Sequence, residues 1–149
     1  MKTVVINGLK WDTENLVSNE KTHFRHEEAL KLAEDCGKRL PTKNEFEELL
    51  RLPHAWDDSK RGIWFAEHWE DLMSDRSLFL PAAGGRYLGR TTLYGVGMDG
   101  NYWSATPNDT TSACYMYLYS SNIYMYNNYR NYGFSVRCVS NIKQNNKKK

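Results

Sequence analysis

Seven of the chain's ten tyrosines fall between Ala113 and Tyr132, in a regular order. Cys114, Met116 and Leu118 alternate with Tyr115, Tyr117 and Tyr119, and Ile123 and Met125 alternate with Tyr124 and Tyr126. Successive side chains of a β-strand point to opposite faces. The spacing therefore predicts two strands that send their apolar residues into a core and line up tyrosines on the other face. Asn127, Asn128, Tyr129, Asn131 and Tyr132 follow at once. A Tyr/Asn/Ser surface on a rigid scaffold has the composition of an antibody paratope. It points to binding rather than catalysis.

The 149 residues suit one domain with a real core. Net charge is +2, but Lys147, Lys148 and Lys149 supply it, and the body without them is near neutral. Residues 143–149 are expected to be a solvated, disordered lysine-rich tail, and 1–142 a single domain. No basic stripe runs through the domain, so nucleic acid is not an expected partner. No apolar run approaches the roughly 18 residues of a membrane span, which argues against membrane insertion. Val4-Val5-Ile6 is too short for a signal-peptide core. If the chain works outside a cell, it is expected there as part of a larger assembly, on a virion or another surface.

Along the chain, Thr3 to Ile6 reads as a strand and Asn7-Gly8 as a turn. His26 to Cys36 reads as a helix with Ala29, Leu32, Ala33 and Cys36 on one face, stopped by Gly37. Thr42 and Glu45 form a capping box for a second helix carrying Phe46, Leu49 and Leu50, and Pro53 ends it. From His54 to Asp75 the pattern is irregular, with a short strand at Gly62 to Phe65. Six glycines between Gly84 and Gly100 predict turns and loops that scaffold the binding face. Tyr102 opens a β-rich last third, and the last strand is expected at Gly133 to Val139 with Phe134, Val136 and Cys138 inward. Helices first and antiparallel strands later predict an α+β class.

Five segments together resemble one known group. Ala33-Glu-Asp-Cys-Gly-Lys-Arg-Leu-Pro-Thr-Lys-Asn-Glu-Phe-Glu-Glu-Leu-Leu50 resembles the "RLPT…E(F/W)" helix of formylglycine-generating-enzyme-like C-type lectin folds. Leu80 to Arg86, Gly100 to Thr106 and Gly133 to Val139 are similar to its later blocks, and Ile6 to Leu16 to the start of its bacterial surface-protein branch. Within the group, the chain resembles the variable proteins of diversity-generating retroelements, found in bacteriophages and bacteria. In those systems a reverse transcriptase copies a template repeat with errors at adenines and overwrites the 3′ end of the gene. Adenine-rich Asn codons thereby become Tyr, Asp, Ser, Thr or His. The resemblance implies a C-type lectin fold of two helices plus antiparallel strands with long irregular loops. It also implies a variable region at about 101–137.

The resemblance and the alternation together mark Tyr115, Tyr117, Tyr119, Tyr124, Tyr126, Asn127, Asn128, Tyr129, Asn131 and Tyr132 as ligand-facing. Asn101, Thr111 and Ser112 are further candidates. The expected ligand is a protein or glycan on a cell surface, and no cofactor is expected. By resemblance, Cys36 and Cys138 form a disulfide in an oxidising environment; a reduced, buried pair is equally consistent with a cytosolic one. Cys114 is expected to point inward. The group includes an oxidase that uses a copper-bound cysteine pair, but Cys114 and Cys138 do not sit in segments resembling its active-site block. Pro107-Asn108-Asp109 is a partial echo of a calcium-binding lectin segment. His23 and His26 have spacing compatible with a metal, but two ligands without a third favour exposed residues at a helix start.

Overall fold

A computed structural model of the chain describes residues 2–142. The lysine-rich stretch at 143–149, expected to be a tail, lies outside the described residues. The strands are β1 (Thr3–Ile6), β2 (Leu9–Asp12), β3 (His54–Asp57), β4 (Gly62–Phe65), β5 (Leu78–Pro81), β6 (Gly100–Pro107), β7 (Ser112–Tyr119), β8 (Asn122–Tyr129) and β9 (Val139–Asn141). Between β2 and β3 lie helices α1 (His26–Asp35) and α2 (Lys43–Leu50). The strands form three antiparallel sheets in the orders β1-β2-β9, β3-β4-β5 and β6-β7-β8.

The α+β class expected from helices first and strands later is corrected by this architecture. Three three-stranded sheets carry the chain, and the two helices have only ten and eight residues, so the fold is β-rich. The centre of the chain supplies an entire sheet: the strand expected at Gly62–Phe65 forms as β4, and His54–Asp57 and Leu78–Pro81 join it as β3 and β5. Its strands are four residues each, too short for a period of two to stand out. The expected last strand is also corrected. Gly133, Phe134 and Ser135 make isolated bridges to Arg86, Phe24 and Tyr102, and the strand itself runs Val139–Asn141. Ser135 and Arg137 are as buried as Phe134, Val136 and Cys138, so this segment is enclosed on all sides and has no outward face.

Local signals place the remaining elements. Asn7 and Gly8 sit at φ 54° and 74°, the conformation of a two-residue type I′ hairpin, and pair Ile6 with Leu9. At the end of α1, Gly37 at φ 74° lets its N–H reach Glu34 O and the Lys38 N–H reach Ala33 O, a Schellman closure. Thr42 Oγ1 accepts from the Glu45 N–H at 3.1 Å while Glu45 Oε1 accepts from the Thr42 N–H at 2.9 Å. Arg39 then grips the Glu45 carboxylate with two bonds of 2.8 Å. That contact holds the Glu45 carboxyl below its ordinary pKa, against the opposing effect of burial.

Two buried clusters flank the β6-β7-β8 sheet. One joins Tyr102, Met116 and Leu118 to Phe46 and Leu49 of α2 and to the side chains of the other two sheets. The other joins Trp103, Ala113 and Tyr115 to Phe24, Ala29 and Ala33 around α1 and to Phe134 and Val136. The first extends across to Ile123 and Met125 of β8, whereas the second includes no residue of β8. Strand β8 is an edge, and all its residues are exposed or half-buried. Among the described residues, no helix is long and apolar enough to cross a membrane.

Candidate binding face

Strands β7 and β8 pair without a break from Ser112↔Tyr129 to Tyr119↔Asn122. The register sets Tyr115 opposite Tyr126 and Tyr117 opposite Tyr124 on one face. Met116 lies opposite Met125 and Leu118 opposite Ile123 on the other. Strand β6 adds Trp103 beside Tyr115 and Asn101 beside Tyr117. The alternation in the sequence thus becomes two chemically distinct faces of one sheet.

The tyrosine face is graded rather than uniformly open. Trp103 is fully buried, Tyr115 is 6% exposed, and Tyr126 across from it is 60% exposed. Tyr115, expected to face a ligand, is therefore corrected to a core residue. The 133–138 segment covers it: the Phe134 ring lies 4.7 Å from Tyr115 and 4.6 Å from Trp103. Tyr117 and Tyr119 are half-buried, and Tyr124, Tyr126 and Tyr129 are exposed.

The asparagines and hydroxyls divide as well. Asn128 shares the tyrosine face. Asn127 pairs with Cys114 on the opposite face, accepts from its thiol at 3.0 Å, and is exposed there. Tyr129 has the parity of Asn127, but it ends the strand, and its ring lies 6.0 Å from that of Tyr132. Asn131 and Thr111 line a separate groove beside α1 with Arg25 and Arg130. Asn101 and Ser112, offered as further ligand contacts, are corrected to buried positions. Ser112 closes its own turn: Asp109 Oδ1 accepts from Ser112 N and Oγ and from Thr111 N and Oγ1 at 2.8–3.2 Å. Those donors hold the Asp109 carboxyl below its ordinary pKa, and the Pro107-Asn108-Asp109 echo is here a turn.

Sequence reasoning missed part of the aromatic surface. Tyr87 and Tyr94, from the glycine-rich segment, stack at 4.1 Å with planes 14° apart, and Tyr87 meets Tyr132 edge-on at 5.4 Å. Tyr132 continues to Phe134 and so to Tyr115, Tyr126, Tyr124, Tyr117 and Tyr119. All tyrosines except Tyr102 belong to this one network. Glycine makes the approach possible: a Cβ on Gly85 would lie 3.0 Å from the Tyr94 hydroxyl and 3.1 Å from Phe134. The available signal was the pair of tyrosines set among those glycines.

The face is polar, with the Asp99 carboxylate beside its tyrosine hydroxyls. Burial pushes the Tyr115 hydroxyl up to about 12. Burial also raises Tyr117, helped by the neighbouring Asp99 carboxylate, and raises Tyr94. At neutral pH these groups are uncharged phenols that donate and accept hydrogen bonds, not nucleophiles. Rings with two torsions each and hydroxyls at their tips suit an adaptable protein or glycan contact.

The histidines and cysteines hold the scaffold. His23 and His26, expected to be exposed, are 4% and 1% exposed. His23 Nε2–H donates to Ala83 O, and Nδ1 accepts from Thr22 Oγ1, both at 2.8 Å. His26 Nε2–H donates to Ser104 O at 2.8 Å, and its ring packs edge-on against Trp103. Carbonyl acceptors require the Nε2–H form, and burial holds both imidazoles below their ordinary pKa. Cys36, Cys114 and Cys138 are free thiols. Cys36 is exposed at the end of α1, while Cys138 is buried and pushed up to about 12 by that burial.

Residues 59–139 match the family described as domain of unknown function (DUF8237), over more than half of the chain. The chain belongs to the DUF8237 family. The matched span runs from just before β4 through β8 to the start of β9 and contains every ring of the tyrosine network. No curated protein and no solved structure matches the chain.

Proposed function

We propose that this chain is a ligand-binding protein whose tyrosine- and asparagine-rich face recognises a host or other cell surface and is diversified by a retroelement. One observation carries the reading. On β7 and β8, tyrosines occupy one face while Met116, Leu118, Ile123 and Met125 pack the core on the other. A scaffold divided in this way tolerates change on one face at little cost to folding. The part of the face not closed over, exposed Tyr124 and Tyr126 with half-buried Tyr117, Tyr119 and Asn128, has the residue types that single-base changes at adenine-rich codons produce. An exposed aromatic surface of this size marks an interaction site.

A fixed adhesion surface of a bacterial outer structure is the second reading. It is favoured by Tyr87 and Tyr94, which join the network from outside the region 101–137. Sequencing the native locus separates the two. A near-copy of the segment encoding Tyr102 to Val139, differing at template adenines, supports diversification. A single-copy, invariant segment would leave the fixed adhesion surface.

A further inference from the structure

We propose that the face seizes its partner by a basic anchor: a lysine or arginine side chain of a partner protein, seated against Asp99 and held by the surrounding tyrosine rings. The inference rests on the binding reading above and names the chemistry of the partner.

Asp99 immediately precedes β6. Its carboxylate faces the Tyr117 hydroxyl and helps to raise it, and Tyr117 lies on the tyrosine face. Its carboxylate folds over Gly95, where a Cβ would approach Oδ2 to 2.7 Å, and Gly95 sits at φ 72°. Tyr94 precedes that glycine and stacks on Tyr87 at 4.1 Å, while Tyr117 meets Tyr124 at 5.4 Å. The Tyr117 and Tyr94 hydroxyls lie near enough to this carboxylate for its charge to help raise both, and tyrosine rings attract cations. Among the described residues Asp99 forms no salt bridge. The nearby guanidinium groups are engaged elsewhere. Arg86 packs over Gly133 and donates to His23 O, and Arg61 donates to Gly97 O and pairs with Asp58. One unneutralised carboxylate among neutral phenols is a seat for a cation.

The rim favours a protein as the carrier of that cation. Leu88, Val96 and Met98, on the loop that supplies Tyr87 and Tyr94, are 58%, 60% and 65% exposed. Aliphatic side chains match the apolar residues around a basic anchor on a protein; they offer nothing to the hydroxyls of a glycan. Asp99, Tyr87, Tyr94 and this rim also lie outside 101–137. They would form the constant part of a face whose remainder varies.

The test uses N-acetylarginine amide, N-acetylcitrulline amide of the same shape without the charge, and N-acetyl-Leu-Arg-Leu amide, each titrated into the full chain while the tyrosine ring resonances are followed. The expected result is saturable binding of the arginine probe at least fivefold tighter than the citrulline probe. The tripeptide should bind tighter still, and that extra gain should be lost in Met98→Ser. Asp99→Asn should abolish the arginine preference. Equal affinity for arginine and citrulline in the unaltered chain overturns the proposal, whether or not the Asp99→Asn chain folds. So does a preference that survives Asp99→Asn. An adenine-directed variable locus together with no arginine preference would overturn this inference alone and leave the diversified-receptor reading standing.

Discussion

The two faces of the β7–β8 ribbon share one backbone and one register but differ in every physical respect. Met116 and Leu118 are fully buried, and Ile123 and Met125 pack beside them; Tyr124 and Tyr126 stand open to solvent. The tyrosine face itself then divides, because Phe134 and Val136 close over its β6 side and bury Tyr115 with Trp103. Residue type alone therefore does not decide which tyrosine binds. What decides it is the distance from the enclosed 133–138 segment.

The largest break in this comparison should come from residues under that segment. Trp103→Ala removes a fully buried ring and its 2.7 Å bond to Phe24 O, and should cost about 3–5 kcal/mol in denaturant unfolding. Tyr115→Ala should cost about 3 kcal/mol, like a core aromatic, although it belongs to the tyrosine row. Thr42→Ala, far from the face, removes the α2 cap and should cost about 1 kcal/mol. Tyr126→Ala should change stability by no more than about 0.5 kcal/mol, since its ring is mostly in solvent. If Tyr115→Ala and Tyr126→Ala gave equal losses, the division of the face would be wrong.

Acidification sharpens the same contrast. His23 and His26 brace the buried side, and burial lowers both folded pKa values from the ordinary 6.5. Below that value the unfolded chain takes up protons that the folded chain resists, so stability is lost as pH falls. Thermal midpoints should therefore drop between pH 7.5 and 5.5, a window above the carboxylate range. A flat profile there would place both imidazoles in solvent.

Much of this was legible in the sequence where a local signal existed. Asn7-Gly8 specified its hairpin, Thr42 and Glu45 their capping box, Gly37 its helix stop, and the Tyr/apolar alternation its two faces. What was not legible is non-local. Nothing in Tyr115 distinguishes it from Tyr117 until Phe134 is laid against it. His54 to Asp57 carries no period long enough to announce a strand, and it becomes one through pairing with Gly62 to Phe65. Tyr87 and Tyr94 sit in a segment rich in glycine, where backbone freedom hides the contacts that form. Tyr126, Asn127 and Asn128 are neighbours in sequence but not one patch, because adjacent strand residues point opposite ways and Asn127 is exposed on the other face.

The most direct test of the account is to sequence this gene from many independent isolates and score amino-acid changes position by position. The account predicts changes concentrated at Tyr117, Tyr119, Tyr124, Tyr126 and Asn128, with Met116, Leu118, Ile123, Met125 and the buried Tyr115 held constant. Changes spread evenly over both faces, or an invariant tyrosine face, would contradict it.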